Sequence, residues 1–143
     1  LTNFSCDDSG QNCIAAPMVA QIRNSIISGS RGSELIFLDI FEGMEPTQFR
    51  ASIDNSLVRT DQAFLDSQSG IFANFYEAIC DGCLNITFSD PLFQSIEQDD
   101  YQLDSLSLAR DLGEFLPALS IDLLGVERDM DTPDAGAYER VDR

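Results

Sequence analysis

Three segments decide how this chain is read: Ile22-Arg23-Asn24-Ser25-Ile26-Ile27, Ile53-Asp54-Asn55-Ser56-Leu57-Val58 and Cys83-Leu84-Asn85-Ile86-Thr87-Phe88. Their asparagines stand 31 and 30 residues apart, each beside a short run rich in apolar and β-branched residues. A fixed period of this size, with one short β unit per period, marks stacked repeats in which each unit buries its face only against its neighbours. A β-sandwich would place turn signals about every 8 to 12 residues, without register between distant segments. In a parallel stack, like side chains lie over like, so Ile26, Leu57 and Thr87 are expected in one column and Ile27, Val58 and Phe88 in another. Asn24, Asn55 and Asn85 are then expected to form a structural ladder, because neighbouring strands about 4.8 Å apart let amide side chains bond from one level to the next.

Further strands are expected at Glu34–Phe41 and Phe49–Ile53. Glu42–Thr47, with Gly43 and Pro46, reads as a polar excursion. Asp61–Cys83 reads as a longer one, whose section Gly70-Ile71-Phe72-Ala73-Asn74-Phe75-Tyr76 has the aromatics to pack back as a helical turn.

The four cysteines fall in two close pairs, Cys6 with Cys13 and Cys80 with Cys83, for which three pairings are possible and local disulfides are the simplest. Cys80-Asp81-Gly82-Cys83 also fits a redox dithiol or half of a zinc site, although no strand-to-helix context surrounds it. Between Cys6 and Cys13 lie Asp7, Asp8, Ser9, Gly10 and Asn12, which are turn formers. Asp7 and Asp8 are candidate Ca²⁺ ligands there; no other cofactor or metal is expected, and adjacent carboxylates in a short turn are otherwise simply solvated.

The closing stretch runs Asp90-Pro91-Leu92-Phe93, Tyr101-Gln102-Leu103, Leu106-Ser107-Leu108-Ala109-Arg110-Asp111-Leu112-Gly113, Asp122-Leu123-Leu124-Gly125-Val126-Glu127-Arg128 and Pro133-Asp134-Ala135-Gly136-Ala137-Tyr138-Glu139. In order and spacing it resembles the C-terminal end of secreted bacterial right-handed parallel β-helix proteins, the pectate-lyase-like group of Bacteroidota-like "choice-of-anchor" type. It departs from that pattern at Leu108, where proline is usual, and at Arg110 and Leu112, where isoleucine and alanine are usual. The resemblance implies an all-β right-handed parallel β-helix, represented here by its final coils and cap. The implied organisation is a disulfide-closed loop and lead-in over 1–20, coils over 21–113 and a capping segment over 114–143. It also implies that Asp111, Asp122, Arg128 and Asp134 supply ion pairs and turn bonds, that Gly113, Gly125 and Gly136 supply backbone positions open to φ > 0, and that Tyr138 covers the last coil.

Charge narrows the function. Twenty-five acidic residues against eight basic ones, with neither Lys nor His, give a net charge of −17. Nucleic acid and anionic membrane surfaces require a basic footprint that this chain lacks, and no apolar run reaches the roughly 18 residues of a membrane span. A hydrophobic content of 43%, with ten Phe, separates the chain from disordered acidic tails. Cleaving an acidic polysaccharide needs a base and a cation, and of the eight scattered arginines only Arg31 and Arg59 are expected to project from a coil surface near the ladder. The expected role is a non-catalytic structural, adhesive or assembly module of an extracellular or bacterial cell-surface protein, with a polysaccharide lyase or glycoside hydrolase fragment as the alternative. The expected partner is another protein segment, or a copy of the chain itself, paired through the open N-terminal coil; a glycan is a further candidate.

Overall fold

The structure, a computed structural model, describes residues 1–42, 44–45, 47–61, 77 and 79–141. The helical turn expected over Gly70–Tyr76 lies outside the described residues, as do Gly43 and Pro46. Strands β1 (Phe4–Cys6) and β2 (Cys13–Ala15) form an antiparallel hairpin tied by the Cys6–Cys13 disulfide, with Cα atoms 4.0 Å apart. The central strands are β3 (Met18–Arg23), β4 (Ile26–Ile27), β5 (Phe49–Asp54), β6 (Leu57–Val58), β7 (Cys80–Asp81) and β8 (Leu84–Asn85). They make two parallel sheets, ordered β3-β5-β7 and β4-β6-β8. A last antiparallel pair joins β9 (Phe93–Ser95) to β10 (Asp100–Leu103).

The alternation expected of half-buried strands accounts for β3 and β5. Met18, Ala20 and Ile22 turn inward beneath Phe49, Ala51 and Ile53, while Val19, Gln21 and Arg23 face outward. Between the two strands of each unit the chain turns through one residue in the left-handed conformation: Asn24 at φ 45°, Asn55 at φ 48° and Gly82 at φ 65°. Asparagine is among the few non-glycine residues that adopt this conformation readily. At the third corner a Cβ would stand 2.9 Å from Asn55 Oδ1, so glycine is needed both for its φ and for the space.

Parallel register makes these three corners equivalent. Arg23, Asp54 and Asp81 align before the corner, and Ile26, Leu57 and Leu84 align after it. The third repeated unit is therefore Cys80-Asp81-Gly82-Cys83, three residues earlier than the asparagine period suggests. Asn85 falls in the column of Ile27 and Val58 and is no part of a ladder, and Leu84 takes the place expected for Thr87. Its amide instead clasps Thr60, accepting from the Thr60 N–H at 3.1 Å and donating to the Thr60 carbonyl at 3.0 Å.

The right-handed parallel β-helix is not what forms. The described strands lie in four short, separate sheets, two parallel and two antiparallel, with no solenoid or closed sheet among them. Two features of the chain oppose continued coiling. Among the described residues, pairing covers six residues between β3 and β5 and two between β5 and β7, and after β8 the next pair, β9 with β10, is antiparallel. Nor is Glu34–Phe41 a strand: Leu38 alone makes a parallel bridge, to Thr2, donating its N–H to the Leu1 carbonyl at 2.8 Å.

Two apolar clusters meet at β6. Val58 enters the first with Phe37, Phe49, Ile53 and Ile79, where the Phe37 and Phe49 rings meet edge to face at 5.8 Å. Leu57 enters the second with Ile86, Leu92, Leu103, Ala109 and Ala135. Because both faces of β6 are covered, both of its residues are apolar and fully buried. The second cluster binds the closing segment to the strands, and at about 1.5 to 3 kcal/mol for a fully buried aliphatic side chain, Leu57 is a main contributor to that attachment.

The corner geometry predicts opposite outcomes at one position. Asn55→Gly should leave stability within about 1 kcal/mol, because glycine accepts positive φ and loses mainly chain entropy. Asn55→Val should cost about 2 to 3 kcal/mol, since a β-branched residue is strained in the left-handed region. Urea denaturation midpoints check both; equal effects would remove the corner from the account.

Candidate functional site

The closing segment builds a set of charged side chains held by backbone groups. The turn after Asp122 closes through Gly125, whose N–H donates to the Asp122 carbonyl at 3.1 Å and whose φ of 81° has open space around it. Asp122 Oδ1 accepts from the Leu124 and Val126 N–H groups, both at 2.8 Å, and Oδ2 accepts from the Glu139 N–H at 2.9 Å. Asp134 Oδ1 accepts from the Asp111 N–H at 2.9 Å and Oδ2 from the Arg140 N–H at 2.6 Å. Glu139 accepts from the Asp129 and Asp134 N–H groups, each at 3.0 Å, and pairs with Arg128 Nη1 at 3.3 Å. Arg128 also donates to the carbonyls of Asp134 at 3.0 Å and Gly136 at 2.7 Å.

Asp122, Arg128 and Asp134 are joined chiefly in a lattice of side chain to backbone bonds, with Arg128–Glu139 an ion pair within it. Asp111 joins through its N–H, at φ 55°. Glu139 is the member that sequence reasoning missed, although it closes the Pro133–Glu139 motif. Gly136, at φ 104°, is doubly constrained, because a Cβ there would stand 3.0 Å from Ile26 Cδ1. Gly113 has no positive φ; it is needed for close approach, a Cβ meeting the Pro133 carbonyl oxygen at 2.8 Å. Tyr138 does not cover a coil. It lines two hollows, one of about 480 Å³ shared with Gln102 and Arg140, the other of about 460 Å³ shared with Arg23, Phe93 and Tyr101.

This lattice is fastened to the strands at the first corner. Asn24 donates from Nδ2 to the Glu114 carbonyl at 2.6 Å and accepts at Oδ1 from the Glu114 N–H at 2.9 Å, while the Gly136 N–H donates to the Asn24 carbonyl at 2.7 Å. Asn24 is a structural clamp, then, through a partner 90 residues away.

In the hairpin loop, Asp7 accepts from Ser9 Oγ at 2.7 Å and Asn12 Nδ2 at 2.5 Å, with the Ser9 and Gln11 N–H groups adding to Oδ1. These bonds, that from Ser9 first, hold its carboxyl well below the usual carboxylate range. They also occupy lone pairs that a Ca²⁺ ion would need. Among the described residues no group of three or more His, Cys, Asp and Glu is placed to hold a metal, and no helix is long and apolar enough to cross a membrane.

Cys80 and Cys83 are thiols, not the expected second disulfide. Arg59 is buried, donating from Nη1 to the Gly29 carbonyl at 2.5 Å with its guanidinium over the Phe88 ring; Arg31 is exposed. No family model matches the chain, and no curated protein or solved structure matches it.

Two measurements check this site. Glu139→Gln, which keeps the shape but replaces one acceptor oxygen by a donor, so that the Asp129 or the Asp134 N–H loses its acceptor, and removes the charge that pairs with Arg128, should cost about 1 to 3 kcal/mol by urea denaturation. For Asp7 the folded carboxyl titrates below its unfolded value. Its contribution to stability is therefore present above the ordinary carboxylate range and lost as pH falls through the folded pKa. A carboxyl-carbon NMR titration should place Asp7 below a free aspartate, and an ordinary value would show that the loop bonds do not persist in solution.

Proposed function

We propose that the chain is a non-catalytic structural and assembly module of an extracellular or cell-surface protein. The observation that carries this reading is the engagement of Asp122, Asp134, Glu139 and Arg128 by backbone groups of their own segment. Paired carboxylates that hydrolyse a glycosidic bond stand across a cleft about 5 to 10 Å apart and act on substrate. These instead hold loops.

The partner in this reading is another protein segment or a second copy of the chain, paired along the free edge of β3. Among the described residues that strand bonds only β5 within its sheet, and its outward Val19 is 69% exposed, with Ile14 of the adjoining hairpin 78% exposed. Unpaired strand edges accept an added strand through main-chain bonds, with alternate side chains supplying selectivity. The Cys6–Cys13 bond suits an oxidising compartment, and a charge of −17 suits a partner other than nucleic acid.

The purified chain should release no product from uronate or neutral glycan panels, and sedimentation should show self-association or capture of its partner segment. Val19→Lys should weaken that association at least about tenfold, or about 1.4 kcal/mol. Turnover of a polysaccharide abolished by Asp122→Asn, or a monomer that pairs with nothing, would overturn the reading.

A further inference from the structure

One hollow has a lining that strand pairing along β3 does not use. It lies between the first corner, the β9–β10 pair and the end of the closing segment, and holds about 460 Å³. Small-molecule sites have volumes of this order and are mostly apolar, with a few placed polar groups. The walls here are aromatic: Phe93 and Tyr101 meet edge to face with ring centroids 5.4 Å apart, and Tyr138 lines the same space. Buried Leu103 and half-buried Ile26 add aliphatic surface. Several polar groups around it are already engaged. The Asn24 amide is bonded to Glu114, Ser25 Oγ to the Arg23 carbonyl, and the Gly136 N–H to the Asn24 carbonyl. Others are free. Asp54 holds Arg23 through Nε at 3.3 Å, with the Arg23 side chain 44% exposed, while its Nη groups hydrogen-bond to no described residue. Nor does the hydroxyl of Tyr101 or of Tyr138. All of these free groups can donate, and among the described residues lining the hollow there is no Asp or Glu, in a chain that has 25 of them.

We propose that this hollow binds a small aromatic carboxylate, its ring against Phe93, Tyr101 and Tyr138 and its carboxylate on the Arg23 guanidinium. Aromatic walls favour an aromatic guest, which they meet by offset or edge contacts. The planar guanidinium offers parallel N–H groups that match a carboxylate, and the Asp54 pair holds it in one orientation. The tyrosine hydroxyls add donors for the same oxygens. The net charge of −17 repels an anion at long range. Exposed charges more than about 10 Å away are nevertheless largely screened at 0.1 M salt, so the local donors decide.

The test titrates the full chain with phenylacetate and follows the NMR signals of the Ser25, Gly136 and Ala137 amides and of the Tyr101 and Tyr138 rings. Saturable shifts at these groups are expected, with a Kd of about 1 mM or tighter. Phenylacetamide, which keeps the ring but not the charge, should bind at least about tenfold more weakly, and so should acetate, which lacks the ring. Arg23→Gln should abolish the preference for acid over amide, whereas Tyr101→Leu should weaken both alike. Dispersed amide signals elsewhere confirm that each variant is folded, and the comparison of probes on wild type stands without either variant. No saturable shift at about 10 mM phenylacetate would overturn the proposal. So would equal binding of acid and amide to wild type, a folded Arg23→Gln that keeps the preference, or galacturonate binding as tightly as phenylacetate, since the hollow would then select no aromatic ring.

Discussion

The left-handed residue between the two strands of each unit is the constraint on which the rest of the structure depends. It turns the chain between one sheet and the next, so in the first two units the first strand faces one core and the second faces two. Asparagine and glycine are among the residues that fit there at little cost, and Asn24, Asn55 and Gly82 occupy it. The corner also sets register: once Arg23, Asp54 and Asp81 are aligned, Ile26, Leu57 and Leu84 must stack.

The first corner carries a second load. Its asparagine side chain binds both polar groups of the Glu114 backbone, and its carbonyl receives the Gly136 N–H. With Leu57 buried against Ala109 and Ala135, the irregular closing segment becomes a wall of the core. Such a segment has few strand partners of its own, so buried carboxylates take their place, each accepting two or more backbone N–H groups that burial would otherwise leave unpaired.

Much of this was legible in the residues, up to a definite point. The asparagine spacing correctly aligned Ile26 with Leu57 and Ile27 with Val58, because those units share both their apolar run and their corner residue. It failed at the third unit, where glycine replaces asparagine at the corner and an unrelated asparagine, Asn85, falls almost at the same period inside a strand. By its cysteine spacing Cys80-Asp81-Gly82-Cys83 reads as a disulfide turn, whereas its glycine is the corner residue of the third unit. The expectation of a continuous β-helix extended two good units into many; the short third strands and the antiparallel β9–β10 pair show where that extension ends. In the closing segment Asp122, Arg128 and Asp134 were identifiable by type, but their partners are backbone N–H groups, which no side-chain pattern reveals. Gly113 illustrates the same limit, being required by a carbonyl 20 residues further along the chain.

If the closing segment is a wall of the core, it opens together with the strands. Native-state amide hydrogen exchange measures this directly at Leu57 and Arg59, whose N–H groups donate between strands, at Gly113 and Ala135, whose N–H groups donate within the closing segment, and at Glu114 and Gly136, whose N–H groups donate to Asn24 across the joint. The expected result is one shared opening free energy for all six, equal to that of global unfolding. Exchange at Gly113, Glu114, Ala135 and Gly136 that is orders of magnitude faster, with Leu57 and Arg59 still protected, would contradict the account, since the strands would then hold without the segment said to complete their core.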